Sequence, residues 1–355
     1  MSVLIALLPV LLFAIELRLL DSFKLVHGSA VVASIAWGVA AALVCLGLHQ
    51  WLLALAIVDM PTAGRYVAPV TEETLKAVFV AILIARGRIG FSVDAAIHGF
   101  AVGAGFALVE NGVYLLTLPV GSLVLWVVRG FGTAVLHGST TAIFALISRT
   151  LADSRRRHLA VAFLPGWLAA TLIHATFNQA LIAPLAATIT LLIVMPALVL
   201  IVFQRSERAT RKWIGAGMDV DVDLLQMLRS DVFLGTPFGL YLLQLRGRFP
   251  GPTVVDMFCL LRLELESSVQ AKALLLAREA GLDVPVDGDL RASLAEVTSL
   301  NQSIGAAGRL ALRPLQTSTR RDDWHRYLLA QRDPHSVLWR RVVRRFTAHE
   351  ARRGR

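Results

Sequence analysis

The sequence predicts an all-α protein: a polytopic transmembrane helical bundle of about seven spans with a C-terminal cytoplasmic helical extension. Three observations predict it. Hydrophobic residues make up 56% of the 355-residue chain and the mean hydropathy is +0.64, well above a soluble domain. Apolar runs recur at lengths near the roughly 20 residues that cross a bilayer as a helix. Arginines cluster in alternate connections between those runs, the pattern expected where basic short loops stay in the cytoplasm.

Spans are read at about 2–20, 29–57, 66–86, 91–117, 122–148, 158–179 and 183–203, from apolar run length and the punctuation between runs. The first run has no basic residue before it and no small-residue cleavage site after it, so it reads as a retained span rather than a signal peptide. The second is long enough for a tilted helix, or for a helix followed by an interfacial turn around Trp51. Two cysteines, Cys45 and Cys259, exclude a disulfide framework and a cysteine-rich zinc site.

Arg86 and Arg88 follow the third span. Arg149, Arg155, Arg156 and Arg157 follow the fifth, and Arg205, Arg208, Arg211 and Lys212 follow the seventh. The loops at 119–122 and 180–184 carry no charge. The N-terminus is therefore expected outside and the C-terminus in the cytoplasm. Hydrophobicity falls after Gln204, which divides the chain into a transmembrane domain, 1–204, and a basic helical extension, 205–355. Most of the formal +10 charge lies in the extension, with 24 Lys+Arg against 17 Asp+Glu. Helical patterns there run about 221–246, 253–281 and 289–312, broken at Gly235-Thr236-Pro237 and at 249–252 by turn-forming residues. Near the end, Leu338, Trp339, Val342, Val343 and Phe346 recur at helical spacing opposite Arg340, Arg341, Arg344 and Arg345. Such a helix either lies on anionic cytoplasmic lipid or packs within its own domain. No nucleic-acid motif accompanies the charge, so no nucleic-acid partner is expected.

Charges inside the spans point to function. Glu72 and Glu73 interrupt the third span and Glu110 the fourth; His137 lies in the fifth, His174 and Asn178 in the sixth. A charged side chain at mid-bilayer costs at least about 2.5–3.5 kcal/mol, so intramembrane carboxylates face polar cavities and mark sites. With the orientation above, Glu72, Glu73, Glu110, His174 and Asn178 fall roughly two turns below the outer face at about 1.5 Å per residue. His137 falls deeper, near the middle of its span.

Each has a blander reading. Glu72 and Lys76, four residues apart, pair on one helix face. His174 and Asn178 at i, i+4 serve equally as interhelical hydrogen-bonders, and His98, away from the cluster, reads as structural. Gly99, Gly103, Gly105 and Gly112, with Ala101, read as small residues for close helix packing. Asp94 and Arg129 either pair or snorkel. A proton or ion pathway in a transporter would also place polar residues at one depth, but no internal repeat of the kind many transporters show is visible. A catalytically dead scaffold is a third alternative.

Four ordered elements then carry a resemblance: Glu72-Glu73-Thr-Leu-Lys76, Gly105-Phe106-Ala-Leu-Val-Glu110-Asn111, His137-Gly138 and His174-Ala-Thr-Phe-Asn178. Together, over about residues 66–180, they resemble the PrsW family of intramembrane proteases, related to the CAAX prenyl proteases and bacteriocin-processing membrane proteins. The latter's second motif ends in histidine four residues after phenylalanine, where this chain has Glu110, which favours the PrsW branch. The resemblance implies peptide-bond hydrolysis in a bacterial inner membrane, on a membrane-anchored protein such as an anti-sigma factor or similar regulator.

The residues themselves allow two chemistries. In the first, preferred because no His-Glu-x-x-His element occurs, Glu72 or Glu73 is a general base toward water. Glu110 then holds the water or the second proton. His174 and Asn178 stabilise the oxyanion, His137 orients or donates, and Lys76 and Asn111 support. In the second, Glu73, Glu110, His137 and His174 ligate Zn²⁺ with one open position. The orientation predicts that a reporter fused after Gln204 reads cytoplasmic and one inserted at 119–122 reads external. A reversed result would move the carboxylates to the inner leaflet.

Overall fold

A computed structural model describes residues 26, 28–117, 127–152, 159–180, 183–282 and 288–315, which are helical with short connections and contain no strand. The chain forms two compact units, Met1–Arg211 and Lys212–Arg355. The first expected span, 2–20, and the basic helix expected at 338–346 lie outside the described residues.

In the first unit, α1 spans Gly28–Ala54 and ends at Ala56, whose φ of 52° turns the chain. Asp59 accepts the Thr62 N–H at 2.9 Å and Pro61 follows, a capped helix start. A π-helical turn, Ala63–Val67, leads directly into α2, Ala68–Ala85. Gly87, at φ +66°, closes α2 in the left-handed conformation that favours glycine. Helix α3, Ser92–Thr117, begins where Asp94 Oδ2 accepts the backbone N–H groups of Gly90 and Phe91. A second π-helical stretch, Val127–Thr133, precedes α4, Ala134–Ala152. Buried Arg149 at the far end of α4 donates to the Gly90 carbonyl and pins the α2–α3 connection. Helix α5 covers Leu159–Asn178, and α6 begins at Pro184.

Glycine decides how these helices pack. A side chain on Gly99 would meet Thr141 and Ala142, and one on Gly103 the backbone of His137 and Gly138. On another face of α3, Gly105 abuts Ile35, while Gly38 of α1 abuts Val102. These contacts seat α3 directly between α1 and α4, the close approach that small residues permit. Gly112 departs from the sequence reading: among the described residues nothing lies within 4 Å of its missing side chain. It serves no helix contact among the described residues.

Among the described residues, four helical stretches are long and apolar enough to cross a membrane: Gly28–Ala54, Ser92–Thr117, Gly130–Ala152 and Val161–Asn178. Helix α2, expected as the third span, carries Glu72, Glu73 and Lys76, all buried. The expected seventh span is the start of α6, a 46-residue helix, Pro184–Arg229, with no break at Gln204. Only its Pro184–Met195 portion counts as an apolar stretch, and that one is shorter than a span. Val161, Leu164, Leu168 and Leu172 of α5 are exposed at helical spacing, as a lipid-facing stripe requires.

The second unit holds the rest of α6, a 3₁₀ turn at Phe233–Gly235, then α7 (Pro237–Leu245), α8 (Gly251–Glu279), α9 (Gly288–Ser303) and α10 (Gly305–Leu312). Its own core gathers Phe233, Leu242, Met257, Leu260, Ile304 and Leu312. Lys272 and Ser268 of α8 both donate to Asp221 of α6, at 2.7 and 2.5 Å.

Gly103→Ala should destabilise the bundle by about 1–3 kcal/mol, the usual cost of overpacking, because its methyl would overlap the His137 carbonyl. Gly112→Ala should not lower the thermal midpoint of the detergent-solubilised protein and should raise it slightly, because it removes a glycine from a helix interior with room for the methyl group.

Candidate active site

Helices α2 to α5 each contribute to one buried polar cluster. At its centre Glu73 Oε1 accepts three hydrogen bonds: from Lys76 Nζ at 2.6 Å, His174 Nδ1 at 2.8 Å and Thr140 Oγ1 at 3.1 Å. A buried carboxylate is tolerated when donors replace water in this way. The sequence expectation of a Glu72–Lys76 pair is corrected: Lys76 pairs with Glu73 at i, i+3, because His174 and Thr140 converge on the same oxygen.

Lys76 also lies 3.0 Å from His137 Nδ1, with its ammonium 4.8 Å from the centre of the Phe106 ring. An ammonium only donates, so Nδ1 accepts and the His137 proton resides on Nε2. That N–H faces Glu110 Oε2 at 2.5 Å, and Tyr114 donates its hydroxyl proton to Glu110 Oε1 at 2.6 Å. The His137 and His174 rings meet edge to face with centres 5.0 Å apart.

Glu72 completes the cluster. Its Oε2 is buried with no hydrogen-bond partner among the described residues, and His174 Nε2 lies 3.9 Å away. The proton on His174 Nδ1 goes to Glu73, which leaves a lone pair on Nε2. Donor atoms of Glu72, His137 and His174 lie within 4.8 Å of one another. One carboxylate and two imidazoles suit a divalent metal such as zinc. The Glu73–His174 bond is the kind of supporting contact that orients a metal-binding histidine. These residues fit a metal once His137 Nε2 turns from Glu110 to the ion, in a set that has Glu72 where the sequence reading had Glu73 and Glu110.

Glu72, Glu73, Glu110, His137, His174 and Lys76 are thus brought together. His137 stands beside Glu110 rather than deeper in the bundle. Asn178 is engaged elsewhere: its amide donates to the Gly64 carbonyl at 2.9 Å. Buried Asn111 accepts from Thr133 Oγ1 at 3.2 Å. His98 meets Ser34 Oγ at 2.8 Å, away from the cluster, in the structural role expected. Sequence reasoning missed Thr140 and Tyr114. Their only signals are spacings, i+3 from His137 and i+4 from Glu110.

A membrane-type helical bundle burying a metal-competent carboxylate–imidazole centre on three helices defines a class of membrane-embedded metal-site proteins. Within that class, residues 27–202 match the sequence model of the PrsW family intramembrane metalloproteases, and across that segment the chain belongs to this family. No curated protein and no solved structure matches it. The protein is therefore a helical membrane protein of a protease family described as metal-dependent.

Lys76→Met should cost about 3–5 kcal/mol, as when one partner of a buried ion pair is removed, because Glu73 and His137 each lose a donor. Glu73→Gln/Lys76→Met together should recover most of that loss in detergent melting experiments.

Proposed function

We propose that the chain is a zinc-dependent endopeptidase that hydrolyses a peptide bond of a membrane-tethered protein near the outer face. The observation that carries this reading is the buried Glu72 Oε2, without a hydrogen-bond partner among the described residues, facing the open Nε2 of His174. A carboxylate so placed without a donor is costly, and a cation between the two groups would remove the cost.

Glu72 and His174 would hold the ion, and His137 would join them by exchanging its Nε2 contact with Glu110 for the ion. When bound, it supplies Lewis acidity toward water and the scissile carbonyl. Glu73 and Thr140 fix the direction of the His174 ring through Nδ1. Lys76 holds the His137 ring from its Nδ1 side. Side-chain exposure separates the three glutamates: 24% for Glu110, 11% for Glu72 and 1% for Glu73. Glu110 is the carboxylate that water reaches, so it is assigned as general base, taking the proton of the attacking water and later passing it to the leaving amine. Glu73, closed off by three donors, is a positioning residue. Burial of the other groups in the cluster strengthens each electrostatic contact among them.

The substrate proposed is a single-span regulator of the anti-sigma type, anchored in the bacterial inner membrane. Its scissile bond would lie a few residues below the outer surface, where the arginine distribution puts the cluster.

Purified protein should contain about one zinc per chain by elemental analysis, and Glu72→Gln and His174→Ala should lose it. Exhaustive chelation should stop cleavage of single-span model substrates in liposomes, and zinc should restore it. Full activity without metal would return catalysis to the glutamates alone. Glu110→Gln should retain zinc yet lose about 10²–10⁴-fold in kcat, the usual contribution of a positioned base.

A further inference from the structure

Hydrolysis of an amide needs a donor for the oxygen that becomes negative, and the two donors suggested by sequence are engaged elsewhere. His174 Nδ1–H is held by Glu73 and its Nε2 faces Glu72. The Asn178 amide is on the Gly64 carbonyl. Two other donors of the cluster, Lys76 and Thr140, are completely buried and already bonded to Glu73, so no substrate atom reaches them.

Tyr114 differs from these. It follows Glu110 by one helical turn on α3, is only partly buried, and places its hydroxyl on Glu110 Oε1. Glu110 in turn bridges to His137 through Oε2. The phenol is therefore one carboxylate removed from the metal-competent atoms, beside the most exposed of the three glutamates.

We infer that Tyr114 is a catalytic residue of this site: its hydroxyl donates a hydrogen bond to the carbonyl oxygen of the scissile bond as that oxygen becomes an oxyanion. The inference rests on the proteolytic reading above and deepens it. Before substrate arrives the hydroxyl rests on Glu110 Oε1. Rotation about the side-chain torsions moves it to the substrate oxygen and leaves Oε1 open to accept the proton of the attacking water. The phenol keeps its own proton throughout, so no charge or atom is left unbalanced. The arrangement couples substrate arrival to exposure of the base, and it lets the buried donors remain structural.

The test compares the full-length protein with Tyr114→Phe in liposomes, using a single-span peptide substrate and a phosphinate analogue that mimics the tetrahedral intermediate. Tyr114→Phe should lower kcat by about 10²–10³-fold, as loss of one oxyanion donor does, with KM within twofold and zinc content unchanged. The phosphinate should bind more weakly by a similar factor, and Tyr114→His, which restores a donor, should recover part of the rate. A kcat within threefold of wild type overturns the inference while leaving the proteolytic reading intact. Loss of zinc in Tyr114→Phe also overturns it, because the hydroxyl would then be supporting the site rather than meeting the substrate. A wild-type protein that neither holds zinc nor cuts the peptide fails the proteolytic reading itself, and this inference with it.

Discussion

One oxygen atom organises the first unit. Glu73 Oε1 receives donors from α2, α4 and α5, each within hydrogen-bonding distance, so the three helices are fixed relative to one another by a single acceptor. In an apolar interior the alternative to each bond is an unsatisfied polar group, which costs several kcal/mol. The carboxylate therefore demands that Lys76, Thr140 and His174 all stay in place. Lys76 extends the constraint to His137, and His137 extends it to Glu110 on α3. Orientation of the reactive groups and integrity of the bundle are the same set of bonds.

That network can close only if the backbones come close enough. Gly103 brings α3 against the carbonyl of His137 itself, so the glycine sets the distance over which His137 and Glu110 meet. Gly138 admits the Phe100 ring at the same crossing. Phe106, on the other side, packs against both His137 and the Lys76 ammonium, supplying an aromatic face that stabilises the buried cation. Packing and polarity are interlocked here: a small residue allows the approach, and the polar pair it permits gives the approach a single register.

Much of this was legible in the sequence. Carboxylates and histidines inside apolar runs announced a buried polar centre, because a membrane does not accept them otherwise. The breaks of the second unit fall at Gly235–Pro237 and near Pro250, where turn chemistry places them. What was not legible was the choice among near-equivalent neighbours. Glu72 and Glu73 are both within helical reach of Lys76, and only the donors arriving from α4 and α5 decide between them. Charge marks where α6 becomes polar but does not stop it, since Arg, Lys and Glu are good helix formers in water. Tyr114 and Thr140 escaped notice because a hydroxyl in a span carries no cost large enough to advertise itself.

The two carboxamides show how the supporting structure reaches the chemistry. Helix α2, with Glu72 and Glu73, is approached through the π-helical turn Ala63–Val67, and α4, with His137, through Val127–Thr133. A π-helical turn inserts a residue into the α-helical repeat, rotates everything downstream, and displaces carbonyls from their usual partners. Both turns have external support. The Asn178 amide takes the Gly64 carbonyl of the first, and Asn111 accepts from Thr133 of the second. Residues that resemble catalytic groups by sequence position thus anchor the segments whose twist aims the glutamates and the histidine. A rotation of a few degrees at Gly64 or Thr133 would become a displacement at Glu72 or His137. The site tolerates little such displacement, because Glu73 already commits its oxygen to three helices.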